Sequence, residues 1–81
     1  MVQIITYPQY RKYKNEKGYF KIISADEWEE IQIVGSKIIV TKFKVTIFPD
    51  RNFINDLTFE YKNNWVLIEE REYEKVKNEI L

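Results

Sequence analysis

Ile31-Gln32-Ile33-Val34-Gly35-Ser36-Lys37-Ile38-Ile39-Val40-Thr41-Lys42-Phe43-Lys44-Val45-Thr46-Ile47-Phe48 is the stretch whose reading decides the fold. It is dense in β-branched and aromatic side chains, which suit a pleated, half-buried surface. It is broken only at Gly35-Ser36. A glycine first in a two-residue loop suits a type II′ turn, so a β-hairpin is expected, with 28–34 returning along 37–48. In that register Ile33 faces Ile38, Ile31 faces Val40 and Glu29 faces Lys42, two apolar pairs and one opposite-charge pair on a single face. Further along, Thr41, Phe43, Val45 and Ile47 take the apolar side, so the buried parity switches within one strand. A one-residue slip would reverse every side chain. A β-bulge near Val40–Lys42, or a longer turn, would reconcile the two halves.

The pattern continues on both sides of this hairpin. Leu57-Thr58-Phe59-Glu60-Tyr61-Lys62 alternates strictly, Asn63-Asn64 tolerates positive φ, and Trp65-Val66-Leu67-Ile68 returns, which predicts a second hairpin with a type I′ turn. Beyond it, Tyr73, Val76 and Ile80 recur at helical spacing. Glu69 and Glu70 stand where a helix dipole favours negative charge, so a C-terminal helix is expected to pack on the sheet. Towards the N-terminus, Val2–Thr6 and Tyr19–Ile23 read as strands. Ser24-Ala25-Asp26-Glu27 fits either a capping box opening a helical turn or a loop into a continuous strand 28–34; the loop is the expected form. Segment 49–56 reads as the longest connection. The fold class expected is therefore α+β: an antiparallel meander of five or six strands with one C-terminal helix, forming a single domain over 1–81.

Composition limits the chemistry. With 81 residues there is room for one core, and its bulk comes from 13 aromatic side chains with Ala25 as the single alanine. There is no cysteine, which removes disulfides, thiolate zinc sites and a cysteine nucleophile together. Histidine, the usual proton shuttle near neutral pH, is missing as well. Ser24 and Ser36 are the only serines and sit at expected turns, and two glycines cannot build a phosphate-binding loop. Asp50, Asn52, Asn55 and Asp56 lack the glycine bend of a calcium loop. No enzyme, catalytic residue, metal or cofactor is expected. No apolar run approaches a membrane span and no leader pattern opens the chain, so a soluble, cytoplasmic protein with no membrane partner is expected.

The charges sum to zero but lie in blocks. Tyr10, Arg11, Lys12, Tyr13, Lys14 and Lys17 interleave rings with cations, the mixture that nucleic-acid grooves use to stack bases and neutralise phosphates. Against that reading stands the zero net charge. Asp26, Glu27, Trp28, Glu29 and Glu30 set four carboxylates around one tryptophan. That is the composition of an aromatic anchor in a charged rim, docking on a basic partner surface. Each cluster has an ordinary alternative: solvated surface with its rings folded onto the core.

In type, a tiny domain of this composition resembles the orphan proteins of phages, archaeal viruses and mobile elements. Many of these act by plugging the surface of a host protein, as anti-CRISPR and other anti-defence inhibitors do. The expected function is a small non-catalytic protein-binding module, an inhibitor of a host or partner protein, acting through Asp26–Glu30. The first alternative is a nucleic-acid-binding regulator using Tyr10–Lys17. The second is a structural or assembly protein that pairs, as a homodimer for example, through its sheet edges.

Overall fold

The computed structural model describes residues 6–79. Five antiparallel strands form one sheet: β1 (Gln9–Tyr13), β2 (Gly18–Ser24), β3 (Glu27–Val34), β4 (Lys37–Lys44) and β5 (Trp65–Ile68). Two helices complete it, α1 (Phe48–Phe59) and α2 (Glu70–Lys77), with a 3-10 turn at Tyr61–Asn63. The strand order is β4-β3-β2-β1-β5, so the first four strands form a meander and β5 joins it on the far side of β1. The α+β class holds, with two helices where the sequence predicted one. The expected strand at Val2–Thr6 falls almost wholly outside the described residues.

The decisive hairpin forms in the expected register, but its return strand ends at Lys44 and not at Phe48, which opens α1. Ile33 pairs with Ile38, Ile31 with Val40 and Glu29 with Lys42. Gly35 opens the two-residue turn at φ 62°, a conformation that a Cβ would strain. The expected bulge near Val40–Lys42 is absent, and the register runs unbroken to Glu27 opposite Lys44. The parity switch has another cause: the sheet is buried on both faces. On one face Phe20, Ile22, Trp28 and Trp65 pack with Val45, Ile54 and Leu57 under α1. On the other, Tyr10, Tyr19, Ile31 and Ile68 pack with Tyr73 of α2. Phe43 therefore serves the first core, stacked 4.9 Å from Trp28, while Ile38 serves the second. The register irregularity of this sheet lies instead on β2, between Ile22 and Ser24. There Ala25 and Asp26 make a tight loop, and the Ser24 hydroxyl donates to Asp26 Oδ1 at 2.8 Å.

The second hairpin is overturned. Residues 57–59 end α1, and β5 pairs with β1, Tyr13 opposite Trp65 and Tyr10 opposite Ile68. Segment 49–56, expected as a connection, lies within that helix. Phe53, Ile54, Leu57, Thr58 and Tyr61 recur at i, i+1, i+4, i+5 and i+8, which is one face of a helix extended by the 3-10 turn. Pro49 at the first turn starts it, where a missing N–H costs nothing. The alternation of 57–62 is also compatible with this helical period, and burial against Phe20, Trp28 and Trp65 decides between them.

Close packing shows at Gly18, where an added Cβ would lie 2.6 Å from the Tyr13 ring. That ring is stacked on Trp65 and edge-on to Phe20, so it has little room to yield.

A helix at 48–59 separates Leu57 from Phe59, which a strand would place on one face. Leu57 is fully buried and Phe59 is 45 % exposed. Leu57→Ala is expected to lower unfolding free energy by about 2–5 kcal/mol, and Phe59→Ala by less than about 1 kcal/mol. Urea unfolding of the two variants measures this directly; equal losses would speak for the strand.

Candidate functional site

The basic N-terminal cluster is largely absorbed into the fold as strand β1. Alternation sends Arg11 and Tyr13 to the α1 face, and Tyr10 and Lys12 to the α2 face. Arg11 is 2 % exposed. Its Nη1 donates to Tyr10 O at 2.8 Å, and its Nη2 donates to Gln9 Oε1 at 2.6 Å and to Thr58 O at 3.3 Å. The guanidinium also lies over the Tyr61 ring, 4.2 Å from its centroid. Thr58 O belongs to the last turn of α1, the negative end of the helix dipole, so a buried cation is stabilised there without a carboxylate. Burial lowers the Arg11 pKa from its ordinary value, and Tyr61 opposes the shift. Arg11 is a clamp between β1 and the end of α1.

Tyr10 is buried and donates to Glu70 Oε2 at 3.2 Å. Burial first, then this bond and nearby carboxylates, push its hydroxyl up to about 12. Lys12 Nζ bridges Glu16 at 2.7 Å and Glu72 at 2.8 Å, and those bonds raise its pKa. Tyr13 is half-buried against Phe20 and Trp65. Of the six expected residues only Lys14 and Lys17, in the β1–β2 turn, stand exposed.

The acidic segment is divided in the same way. Asp26 ends the β2–β3 loop and Glu27 to Glu30 lie on β3. Trp28 is buried on the α1 face, with Phe43 and Phe53 against its ring. Glu29 is buried on the α2 face, where Tyr73 Oη donates to its Oε1 at 2.7 Å and Lys77 Nζ at 2.9 Å. In register it lies between Lys21 of β2 and Lys42 of β4. Burial alone would raise the Glu29 carboxyl. The bonds from Lys77 and Tyr73, with the charges of Lys77 and Lys21, outweigh it and hold the group below its ordinary value. Glu30 is half-buried on the α1 face, and burial raises its pKa. Trp28 and Glu30 thus point to the α1 side of the sheet and Glu27 and Glu29 to the α2 side, so the segment is divided between two faces.

Among the described residues the fold leaves the edge at β4 unpartnered, a feature the sequence clusters did not mark. Seven of its eight residues are exposed, among them the large apolar Ile39, Val40 and Phe43. Ile47 and Phe48 follow, exposed by 60 % and 78 %. Val45 N–H donates to Asp26 O at 2.7 Å, which continues the β3–β4 ladder. In an antiparallel pair such bonding positions alternate, so Ile39, Thr41 and Phe43 turn their backbone towards β3. Ile38, Val40, Lys42 and Lys44 therefore turn their N–H and C=O groups outward, along an edge with no strand beyond it among the described residues. The opposite edge, β5, is only four residues long, a brevity that blunts pairing.

Among the described residues no three acidic side chains come together as a metal site, and no helix is long and apolar enough to cross a membrane. An open cleft of about 580 Å³ lies beside Arg11, between Pro8, Phe59, Lys62 and Leu67. The two terminal nitrogens of Arg11 are hydrogen-bonded within the fold, while its buried Nε has no partner among the described residues.

The depressed Glu29 carboxyl sets the sign of a pH effect. Its contribution to stability is complete above the unfolded value, near 4.5, and is lost as the pH falls through the lower folded value. Glu29→Gln is expected to be less stable than the parent at neutral pH and to lose less further stability below pH 4.5. Urea midpoints across that range measure it; identical pH profiles would remove Glu29 as the cause. Arg11→Lys, which forfeits the forked contact with Gln9 and Thr58, is expected to cost on the order of 1–3 kcal/mol, read by the same unfolding. The chain matches no protein-family model, no curated protein and no solved structure, so the geometry itself carries the functional reading.

Proposed function

We propose that this protein is a non-catalytic protein-binding module that captures an extended segment of its partner as a sixth strand along β4. The observation that supports this most is the edge itself: eight residues, no bulge, seven exposed, with apolar side chains on both faces. Edges of this kind are ordinarily shortened, bulged or covered, because their free backbone groups template pairing with another chain. Strand addition uses main-chain bonds for affinity and alternate side chains for specificity. Ile47 and Phe48 extend the apolar contact beyond the strand. Such binding holds a partner without turning it over, which is how a stoichiometric inhibitor acts.

This reading moves the binding surface from Asp26–Glu30 to β4. Glu29 and Trp28 support that surface from behind: Trp28 holds Phe43 in place. A nucleic-acid reading would rest on Lys14 and Lys17 alone.

Because proline lacks an N–H, its position on β4 separates binding from folding. Val40→Pro removes an outward donor and should leave the β3–β4 ladder intact, so folding is retained and strand capture is lost. Thr41→Pro removes a donor to β3 and should destabilise the hairpin by about 3 kcal/mol or more. Circular dichroism with urea unfolding reads the fold, and anisotropy of labelled extended peptides reads capture. Peptide capture unchanged in folded Val40→Pro would end the strand-addition reading.

A further inference from the structure

We infer that the segment captured along β4 is an acidic one, in which carboxylate side chains alternate with apolar side chains. This rests on the strand-addition reading and adds the chemistry of the partner. β4 carries Lys37, Lys42 and Lys44 and no acidic residue. None of the three is in an ion pair among the described residues. The carboxylate directly opposite Lys42 is Glu29, which Tyr73 and Lys77 already occupy, and the one opposite Lys44 is Glu27, which makes no ion pair with it.

The two faces of β4 differ. Lys42 and Lys44 share a face with Glu29 and α2, whereas Ile39 and Phe43 share a face with Trp28 and α1. Side chains of an added strand would alternate between the same two faces. On the α2 face they would meet the ammonium groups of Lys42 and Lys44 at one end and the apolar Ile38 and Val40 at the other, and on the α1 face Ile39 and Phe43, with Lys37 at the turn. Carboxylates on one side and Val-, Ile- or Phe-like residues on the other satisfy both. Cross-strand pairs of opposite charge are favourable, and like charges directly opposite are not.

The same feature argues against a second copy of this chain as the occupant. Antiparallel pairing of β4 with β4 would bring six lysines into one small interface, three from each strand, with no carboxylate between them.

The test uses short labelled peptides that alternate valine with glutamate, lysine or serine, read by fluorescence anisotropy on the full chain. The glutamate peptide is expected to bind best, and to weaken about tenfold from low to physiological salt. Binding should vanish in Val40→Pro. The double variant Lys42→Glu, Lys44→Glu should reverse the preference, taking the lysine peptide over the glutamate one. Because these positions face Glu29 and Glu27, circular dichroism reads whether the reversed variant folds. Lys42→Gln, Lys44→Gln, which creates no like-charge pair, should erase the preference for the glutamate peptide; a preference that survives in this folded variant overturns the acidic partner. If the serine or lysine peptide binds the parent as tightly, and Val40→Pro abolishes that binding, the acidic preference is overturned and strand addition stands. If binding survives in Val40→Pro, strand addition fails and this inference with it. A dimer by light scattering that Val40→Pro dissolves would make a second copy the occupant and overturn the acidic partner. A folded parent that binds no glutamate peptide overturns it as well.

Discussion

Burial of one sheet on both faces is the constraint from which the rest follows. Strands β1, β2 and β3 have to supply alternate side chains to two different cores. Phe20 and Ile22 go to one face and Tyr19 to the other; Trp28 goes to the first and Ile31 to the second. Each face then needs a cover. Helices of twelve and eight residues are too short to persist alone. They exist here because the faces need covering, and each is tied down by a buried polar contact. Arg11 reaches through the first face to the end of α1. Glu29 reaches through the second to Tyr73 and Lys77 of α2.

That economy explains why the charged clusters lose their separate identity. A chain of 81 residues with two faces to fill has few residues to spare for dedicated surfaces. Arg11 and Glu29 are recruited as ties, Lys12 as a bridge between the β1–β2 turn and α2, and Trp28 as core. With both faces covered, the backbone of the sheet is open only at its margins. The β5 margin is short; the β4 margin is long, apolar and lysine-bearing.

The hairpin at 31–44 was legible because turn chemistry and cross-strand pairs agreed on one register. Strand 18–24, strand 65–68 and the C-terminal helix were legible from local pattern. Helix α1 was not: Leu57 to Lys62 satisfies period two as well as period 3.6, and Phe53 and Ile54 reveal the longer period only when read together with Leu57 and Tyr61. Strand β1 was hidden for a related reason. Its inward residues include an arginine, so Gln9–Tyr13 resembles a basic loop until the end of α1 supplies carbonyls for Arg11. The parity switch at Val40–Lys42 suggests a bulge or a longer turn only if one face is buried; with both faces buried neither is needed. Edge status belongs to tertiary topology, since it depends on β5 joining β1 and leaving β4 outermost. No local pattern carries that information.

Amide hydrogen exchange along β4, on dilute protein, bears most directly on whether this edge is open. Amides of Ile39, Thr41 and Phe43 should be protected by their bonds to β3. Those of Ile38, Val40 and Lys42 should exchange at nearly unhindered rates, and become protected when an extended peptide is added. An alternating pattern of that kind places the free backbone groups where a partner strand would use them. Equal protection of all six amides in the free protein would mean the edge is already covered, and would contradict the central claim.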